Sequence, residues 1–302
     1  MKRESFGSRL GFILVSAGCA IGIGNVWKFP YICGAYGGAA FILIYLCFLV
    51  ILGIPVLVAE FAVGRGSHTS VAKCFDKLAP AGSCWKPLKF IGIIGCYMLM
   101  MFYTTVGGWM IYYCVKSLRG DFVGATPEAV TQSFSDMLGN APTMMLWMVI
   151  ICLIGFAVCF MGLQNGIEKI SKVMMSALLI IMVILAVHSV MMEGAGEGIR
   201  FYLVPDFQKI KEAGVGNVVF AALSQSFFTL SIGIGAMLIF GSYLDKSRSL
   251  TGEAVSITVL DTFVALTAGF IIIPACFSYG IQPDAGPVSY THLRAHETDQ
   301  YL

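Results

Sequence analysis

The chain has 302 residues, 58% of them hydrophobic and 12% charged, and its formal net charge is +2. Soluble domains carry about 25% charged residues, so this composition excludes an ordinary soluble globular protein. The net charge gives no sign of a nucleic-acid partner, and a mean hydropathy of +0.83 predicts a protein that lies in a lipid bilayer.

About 20 apolar residues are needed to cross the hydrocarbon core of a bilayer. Seven stretches of the chain reach about this length, which predicts an all-α integral membrane protein. The stretches cover approximately residues 10–32, 39–62, 90–116, 143–161, 170–192, 217–241 and 254–279.

The distribution of basic residues predicts the orientation of these spans. Twelve of the 19 Lys and Arg residues fall on one side of the predicted spans and six on the other. Because cytoplasmic loops carry the excess of positive charge, the larger group marks the cytoplasmic side. We therefore expect a multi-pass protein of the inner (plasma) membrane whose N-terminal segment, residues 1–9, is cytoplasmic.

The first predicted helix contains the run Ile21-Gly22-Ile23-Gly24, followed by Asn25. Glycine weakens a helix, and in hydrocarbon a broken helix is tolerated where the freed backbone groups line a cavity or a ligand. Freed carbonyl groups suit a hard cation, and amide groups at the start of a half-helix suit a carboxylate. Close packing of a glycine-rich helix on a neighbour is the alternative explanation.

The sixth predicted helix repeats the same four residues at Ile232–Gly235. Thr229 and Ser231 offer hydroxyl groups just before the repeat, and Phe228 is a candidate aromatic lid. Hydroxyl groups in membrane helices often bond to their own backbone, which is the simpler reading of this segment alone. Two interrupted helices in corresponding positions nevertheless indicate a transporter binding site near the bilayer midplane.

Asp261 lies about seven residues into the last predicted helix, roughly 10 Å along it. A carboxylate at such a depth costs about 2.5–3.5 kcal/mol on insertion scales, so it needs a partner. No Lys or Arg lies at a similar depth in another predicted helix, so we expect a bound cation or a proton. A protonated Asp261 bonded to a neighbouring hydroxyl group is the alternative.

Three segments together carry a resemblance to a known family: SAGCAIGIGNVWKFPY from Ser16, QSFFTLSIGIG from Gln225, and DTFVALTAGFIIIP from Asp261. They resemble the neurotransmitter:sodium symporter family, the sodium-coupled amino-acid and neurotransmitter transporters with the LeuT-type fold, bacterial members included. The resemblance implies an inverted-repeat fold in which helices 1 and 6 are unwound at the midplane.

The resemblance also implies how the chain is divided. Residues 10–192 correspond to the five helices of the first repeat, and residues 193–287 to an extracellular segment with helices 6 and 7. The likeness stops there, so we expect a chain truncated after helix 7. The tail at 288–302 turns abruptly polar and resembles read-through translation of adapter or vector DNA.

For function, the resemblance implies sodium-coupled symport of an amino acid or related small amine by alternating access, with two sodium sites. The residues of the first sodium site are Ala20, Asn25, Thr229 and Asp261. The second site keeps only the carbonyl groups of Gly18 and Ile21, because its other ligands belong to an eighth helix. Many members have Asn at the position of Asp261, and chloride-dependent members have Ser at that of Ala265, so chloride is not expected.

The substrate site implied by the resemblance combines backbone groups of both helix breaks with side chains of helix 3. Its residues are Ala20, Ile23, Gly24, Leu99, Tyr103, Phe228, Thr229, Ser231 and Ile234. The implied outer gate is Phe228 over Tyr103, and Lys28 matches a further outer-gate position. Arg3 and Tyr243 match cytoplasmic gate positions. The acidic partners that these gates have in the family are absent from this chain.

Other readings remain open from the sequence. One alternative is a non-transporting fragment, whose apolar helix faces would lack the helices 8–10 against which they pack in the family. An intramembrane enzyme is disfavoured because His188 and Ser189 are neighbours on one helix and do not face each other. Glu60 and Arg65 are expected to form a cytoplasmic salt bridge. The amino acid carried and the oligomeric state are not predicted.

Overall fold

The computed structural model of the chain describes residues 6–122 and 127–278, and all regular structure in these ranges is helical. The gate residue Arg3 and the tail at 288–302 lie outside the described residues. The elements are α1 (Arg9–Ala20), π1 (Gly24–Lys28), α2 (Phe29–Ala35), α3 (Ala39–Phe48), π2 (Leu49–Gly53), α4 (Ile54–Ser67), α5 (Val71–Leu78), α6 (Leu88–Arg119), α7 (Pro127–Gly139), α8 (Ala141–Phe160), π3 (Leu163–Glu168), α9 (Lys169–Val190), α10 (Ala195–Leu203), α11 (Phe207–Ala213), α12 (Val215–Thr229), α13 (Ala236–Gly241) and α14 (Leu250–Ser278).

Five helical runs in the described ranges are long and apolar enough to cross a membrane, or six if a bent pair counts as one span. The bent pair is α1 with the run from Gly24 to Ala35, and its halves meet at an angle of 56°. The five straight runs are Ala39–Ser67, Leu88–Arg119, Ala141–Phe160, Leu163–Val190 and Leu250–Ser278. The expected all-helical membrane architecture is confirmed.

The sixth predicted span, residues 217–241, is not a continuous helix. α12 ends at Thr229 and α13 begins at Ala236, so neither half reaches the length of a span. Between them, Ser231, Gly233 and Gly235 have φ angles of 52°, 91° and 80°, and such left-handed backbone ends a right-handed helix. The unwinding of helices 1 and 6 is thus confirmed, and the break in helix 6 accounts for the missing span.

α14 lies at the centre of the described fold and packs against α1, π1, α2, α4, α9 and α10. Its inward side is small and apolar, with Val264, Ala265 and Ala268 buried, which lets the neighbouring helices approach closely. Around it lie the fully buried rings of Phe29 and Tyr45. This packing brings the first helix break against the middle of α14.

The segment at 193–216 forms two short helices, α10 and α11, beyond the end of α9. Tyr202 is buried and its hydroxyl donates to the carbonyl of Leu266, 3.0 Å away. Gly198 lies so close to α14 that a Cβ there would be 2.7 Å from the Cα of Pro274. These contacts fix the segment on the C-terminal part of α14.

Candidate functional site

The first helix break is built by α1, π1 and the residues between them. The N–H of Ile21 makes the last bond of α1, to the carbonyl of Ala17 at 2.6 Å. The next N–H, that of Gly22, donates instead to the side-chain oxygen of Asn25 at 3.2 Å. The Asn25 side chain therefore satisfies backbone that the helix has released, and the chain turns here by 56°.

Asn25, Thr229 and Asp261 meet at the centre of the fold, and each is fully buried. The Asn25 amide nitrogen donates to one carboxylate oxygen of Asp261 at 2.8 Å and to its backbone carbonyl at 3.1 Å. The Thr229 hydroxyl donates to the other carboxylate oxygen at 2.9 Å. Side chains separated by up to 236 positions in sequence thus converge on one carboxylate.

No basic side chain neutralises this carboxylate within the described part of the chain. The ion pairs found there join Arg9 to Glu253, Lys89 to Asp76 and Lys172 to Glu168. A buried carboxylate with two neutral donors is incompletely compensated, because burying an unpaired charge is expensive. The cluster therefore has the charge and the oxygen atoms to hold a cation.

The second break lies directly against the first. The Ser231 hydroxyl donates to the Cys19 carbonyl at 3.1 Å, and this carbonyl belongs to the last turn of α1. The Gln225 amide donates to the Gly24 carbonyl at 2.9 Å. Side chains of the sixth helix therefore satisfy backbone groups of the first, which explains how both breaks are tolerated in an apolar setting.

The aromatic lid candidate Phe228 packs on the start of π1. A Cβ added at Gly24 would lie 2.8 Å from a ring carbon of Phe228, so only glycine leaves room for the ring. The Lys28 ammonium lies 4.3 Å from the centroid of the same ring, within cation–π range. Lys28 and Phe228, each predicted at the outer gate, are thus in contact with each other.

Helix α6 supplies one wall of the site. A Cβ at Gly22 would lie 3.9 Å from a ring carbon of Tyr103, which places this ring beside the first break. The Cys96 thiol donates to the Ile234 carbonyl at 3.4 Å, which places the second break on the same helix. Leu99 lies between Cys96 and Tyr103 at helical spacing and is half-buried on the same face.

The remaining predicted backbone ligands lie in and beside the first bend. Ala20, Ile21 and Gly24 are buried, whereas Gly18 and Ile23 are half-buried. Because α1 ends at Ala20, carbonyl groups of its last turn have no partner further along the helix. One of them, that of Cys19, is bonded to Ser231, and sequence reasoning did not assign it.

Glu60 is a site residue whose position the sequence reasoning missed. Its carboxylate accepts the Gly233 N–H at 2.6 Å and the Leu238 N–H at 3.2 Å, so it caps the start of α13. The expected salt bridge to Arg65 is wrong, because Arg65 donates to the Arg248 carbonyl at 2.7 Å. The available signal was the acidic residue itself, which stands within an otherwise apolar span, as Asp261 does.

Near the start of α1, the ring of the predicted gate residue Tyr243 meets Phe6 edge-on at 5.9 Å. Both rings line a cavity of about 210 Å³. A second cavity, of about 370 Å³, lies between α6, α7 and α8. Neither cavity is lined by the residues of the two helix breaks.

The described residues contain no group of three His, Cys, Asp or Glu side chains that could hold a metal ion. The candidate site has one carboxylate, with the remaining oxygen atoms supplied by Asn25, Thr229 and backbone carbonyl groups. Such a set has low charge and suits a weakly bound hard monovalent cation better than a tightly bound transition metal.

The chain is similar in sequence and in overall fold to known proteins. The model of the sodium:neurotransmitter symporter family matches residues 3–135 and 129–282. The uncharacterized sodium-dependent transporter YhdH of Bacillus subtilis is 37% identical over 95% of this chain and 62% of its own length. An uncharacterized sodium-dependent transporter of Haemophilus influenzae is 33% identical over 95% of this chain and 64% of its own.

Among solved structures, the crystal structure of MhsT in complex with L-phenylalanine superposes with a TM-score of 0.88. The two sequences are 38% identical, and the match covers 96% of this chain and 65% of that one. The chain thus spans somewhat less than two thirds of the length of these relatives.

Proposed function

The chain belongs to the sodium:neurotransmitter symporter family, and on this premise we propose that it forms the ion- and substrate-binding part of a sodium-coupled amino-acid symporter. The observation that carries the proposal is the buried cluster of Asn25, Thr229 and Asp261 between the two helix breaks. Transport itself is proposed for the whole protein, because the relatives extend beyond the length matched here.

The residues present fit a sodium ion. Asp261 offers a carboxylate, Asn25 and Thr229 offer neutral oxygen atoms, and the end of α1 offers the Ala20 carbonyl. A bound sodium ion supplies the positive charge that Asp261 lacks in its surroundings. Asn25 donates to Asp261 through its amide nitrogen and Thr229 through its hydroxyl proton, so both side-chain oxygen atoms would keep lone pairs for the ion. The pair Gly18 and Ile21 is proposed as part of a second sodium site.

The proposed substrate is an amino acid with an apolar side chain, a class that includes the L-phenylalanine named for MhsT. Its carboxylate would meet the N–H groups of Ile23 and Gly24 at the start of π1. Its amine would meet carbonyl groups of the two broken helix ends. Phe228, held under Lys28, would close the site from the outer side.

The free energy available for substrate uptake comes from the membrane potential and from the sodium concentration gradient. Each charge that moves through 100 mV contributes about 2.3 kcal/mol, and a tenfold sodium gradient contributes about 1.4 kcal/mol. Two sodium ions therefore provide roughly 7 kcal/mol for accumulation of the substrate.

Sodium-dependent binding of radiolabelled L-phenylalanine to the purified chain in nanodiscs tests the proposal. We expect binding in sodium chloride and none in choline chloride, and Asp261→Ala should abolish it. Glu212→Gln, an exposed change on α11, is the matched control and should bind as the unchanged chain does. Absence of binding by the unchanged, folded chain would favour the reading of a non-transporting fragment.

A further inference from the structure

The cavity of about 370 Å³ between α6, α7 and α8 is lined by side chains of opposite charge, and it lies apart from both helix breaks. Lys116 of α6 and Asp136 of α7 both line it, together with the ring of Tyr112. Binding sites for small molecules have volumes of about 300–1,000 Å³. The cavity is therefore large enough to hold a small organic ligand.

The Lys116 ammonium is held at one side of the cavity by neutral groups. It donates to the Ser133 hydroxyl at 2.7 Å and lies 5.2 Å from the centroid of the Tyr112 ring. The Phe122 ring, at 5.9 Å, adds a second cation–π contact. An ammonium group has three donors, and none of these partners carries a negative charge. The cation therefore remains able to bind an anion.

Asp136 presents the opposite charge on α7 and is exposed. Its carboxylate accepts a hydrogen bond from the Gln132 side-chain amide at 2.7 Å, and this donor is neutral. Asp136 follows Ser133 by three residues, and residues so spaced lie on the same face of a helix. The carboxylate therefore lies on the face of α7 that the Lys116 ammonium contacts.

Lys116 and Asp136 do not form an ion pair, although both line one cavity. Among the residues that the structure describes, the cations of the ion pairs are Arg9, Lys89 and Lys172. The cavity thus keeps the two charges apart, and neither has a counter-charge in these parts of the chain. A ligand that carries both an anion and a cation can fill the gap and compensate the two side chains at once.

The walls that carry these charges are fixed by packing. The Phe134 ring of α7 meets the Trp109 ring of α6 edge-on at 5.8 Å. Met137, one turn further along α7, is only 2% exposed and lines the cavity. Asn140 caps α8 by accepting the Thr143 N–H at 3.1 Å, and both residues also line the cavity. The site is therefore formed before a ligand arrives, as is usual for small-molecule sites.

The cavity lies where two membrane spans meet the edge of the bilayer. α6 ends at Arg119 and α8 begins at Ala141, and both helices are long and apolar enough to cross a membrane. Polar and charged groups at the end of a span lie at the level of the lipid headgroups. A ligand can therefore reach the cavity from water or from the headgroup layer.

We propose that this cavity binds a small zwitterion, with its oxyanion at Lys116 and its primary ammonium group at Asp136. Charge-assisted hydrogen bonds at both ends fix the orientation of the ligand, and the Tyr112 ring covers its apolar part. A free amino acid and the headgroup of phosphatidylethanolamine share this chemistry. The proposed symport site is separate, because none of its residues lines this cavity.

Saturation-transfer NMR of small probes, with the purified chain in the nonionic detergent dodecyl maltoside, tests the site. Choline replaces sodium throughout, so that the proposed sodium-dependent site stays empty. L-Alanine and glycerophosphoethanolamine are the zwitterionic probes, whereas acetate, glycerol 3-phosphate and ethanolamine each carry charge of one sign only. At least one zwitterion should bind about fivefold more tightly than the singly charged probes, as expected for charge pairs that are partly open to water.

Substitutions of the two charged residues assign the bound probe to the cavity. Lys116→Gln and Asp136→Asn should each lower the affinity for the zwitterion about fivefold. Lys116→Arg keeps the positive charge and should keep most of the affinity. Lys211→Gln, an exposed change on α11, is the matched control. Equal affinities for zwitterionic and singly charged probes, no saturable binding of either zwitterion, or unchanged binding in Lys116→Gln and Asp136→Asn would overturn the proposal.

Nanodiscs distinguish the two sources of the zwitterion. If the lipid headgroup is the ligand, nanodiscs of phosphatidylethanolamine should suppress binding of the probe. Nanodiscs of phosphatidylcholine should not, because its quaternary ammonium group has no N–H to donate. If a free amino acid is the ligand, L-alanine should bind equally in both. Failure of sodium-dependent L-phenylalanine binding would count against the proposed symport site and would leave these outcomes unaffected.

Discussion

Asp261 is the residue on which the proposed ion coupling depends. Its carboxylate is fully buried and is bonded to an amide and a hydroxyl group, both of them neutral. A symport site that takes a cation together with a zwitterion needs one further negative charge. A carboxylate fixed on α14 supplies that charge without a second ion, and Ala265, one turn further, is buried and apolar.

Neutralising this carboxylate predicts a change in ion requirement. Asp261→Asn keeps the size and one acceptor oxygen, so sodium affinity should fall at least about tenfold while the fold is kept. Chloride should then increase substrate binding, because it can supply the missing charge. Titrations of substrate binding in sodium chloride and in sodium gluconate measure the chloride requirement. If the chain with Asp261 in place required chloride for binding, the proposed role of this carboxylate would be contradicted.

A substitution at Gly24 tests whether Phe228 closes the substrate site. In Gly24→Ala the methyl group would meet the Phe228 ring at 2.8 Å, and the ring is the part that can move. We expect substrate affinity to fall about tenfold, with little loss of stability. Gly216→Ala, where a methyl group meets open space, is the control. Unaltered L-phenylalanine binding in Gly24→Ala would show that Phe228 does not close the site.

At the residue scale, the sequence predicted which residues belong to the candidate site better than it predicted which residues contact each other. The cluster of Asn25, Thr229 and Asp261 follows from residue types and from the resemblance. The bonds of Glu60 to Gly233 and Leu238 do not, because they depend on how α4 lies against the second break. The sequence predicted a pair between Glu60 and Arg65, the nearest basic residue along the chain. In the fold, the backbone N–H groups at the start of α13 lie nearer to Glu60 than Arg65 does.

Among the elements, α13 depends on its cap. It has six residues, and its first turn receives a carboxylate from α4 in place of the preceding helix. Glu60→Ala should lower the free energy of unfolding by about 2–4 kcal/mol, because it leaves two backbone donors without an acceptor. Thermal unfolding in detergent measures the loss, and Glu212→Ala on the exposed end of α11 should change the midpoint little.

Glycine substitutions between α12 and α13 are expected to destabilise the fold by different amounts. Gly233 and Gly235 both have positive φ; a Cβ at Gly233 meets open space, whereas one at Gly235 lies 2.8 Å from Val71. Gly233→Ala should therefore cost about 1 kcal/mol for the backbone alone, and Gly235→Ala about 2–3 kcal/mol. Gly216→Ala in α12 should stabilise by about 0.5–1 kcal/mol. Equal effects at all three positions would contradict this account of the break.

For the whole molecule, composition and the 20-residue apolar runs were enough to predict a helical membrane protein, and the two Ile-Gly-Ile-Gly runs to predict two broken helices. They were not enough to predict that α14 lies at its centre. Long helices that are apolar on all sides carry no stripe that marks which face meets protein and which meets lipid. The contacts of Glu168 with Gly7 and of Glu253 with Arg9 were missed for the same reason, because they depend on which helices are neighbours.

The orientation of the whole chain is the last prediction, and it follows from the excess of Lys and Arg on one side. Cys84 is an exposed free thiol in the segment between α5 and α6, and Glu197 is exposed on α10. The predicted topology puts these two residues on opposite sides of the membrane. In intact cells a membrane-impermeant maleimide should label Glu197→Cys and leave Cys84 unlabelled until the membrane is permeabilised. Peptide mapping by mass spectrometry reads the sites separately, and the buried Cys74 should stay unlabelled throughout. Labelling of Cys84 in intact cells would contradict the predicted orientation, because it would put the segment between α5 and α6 on the outer side.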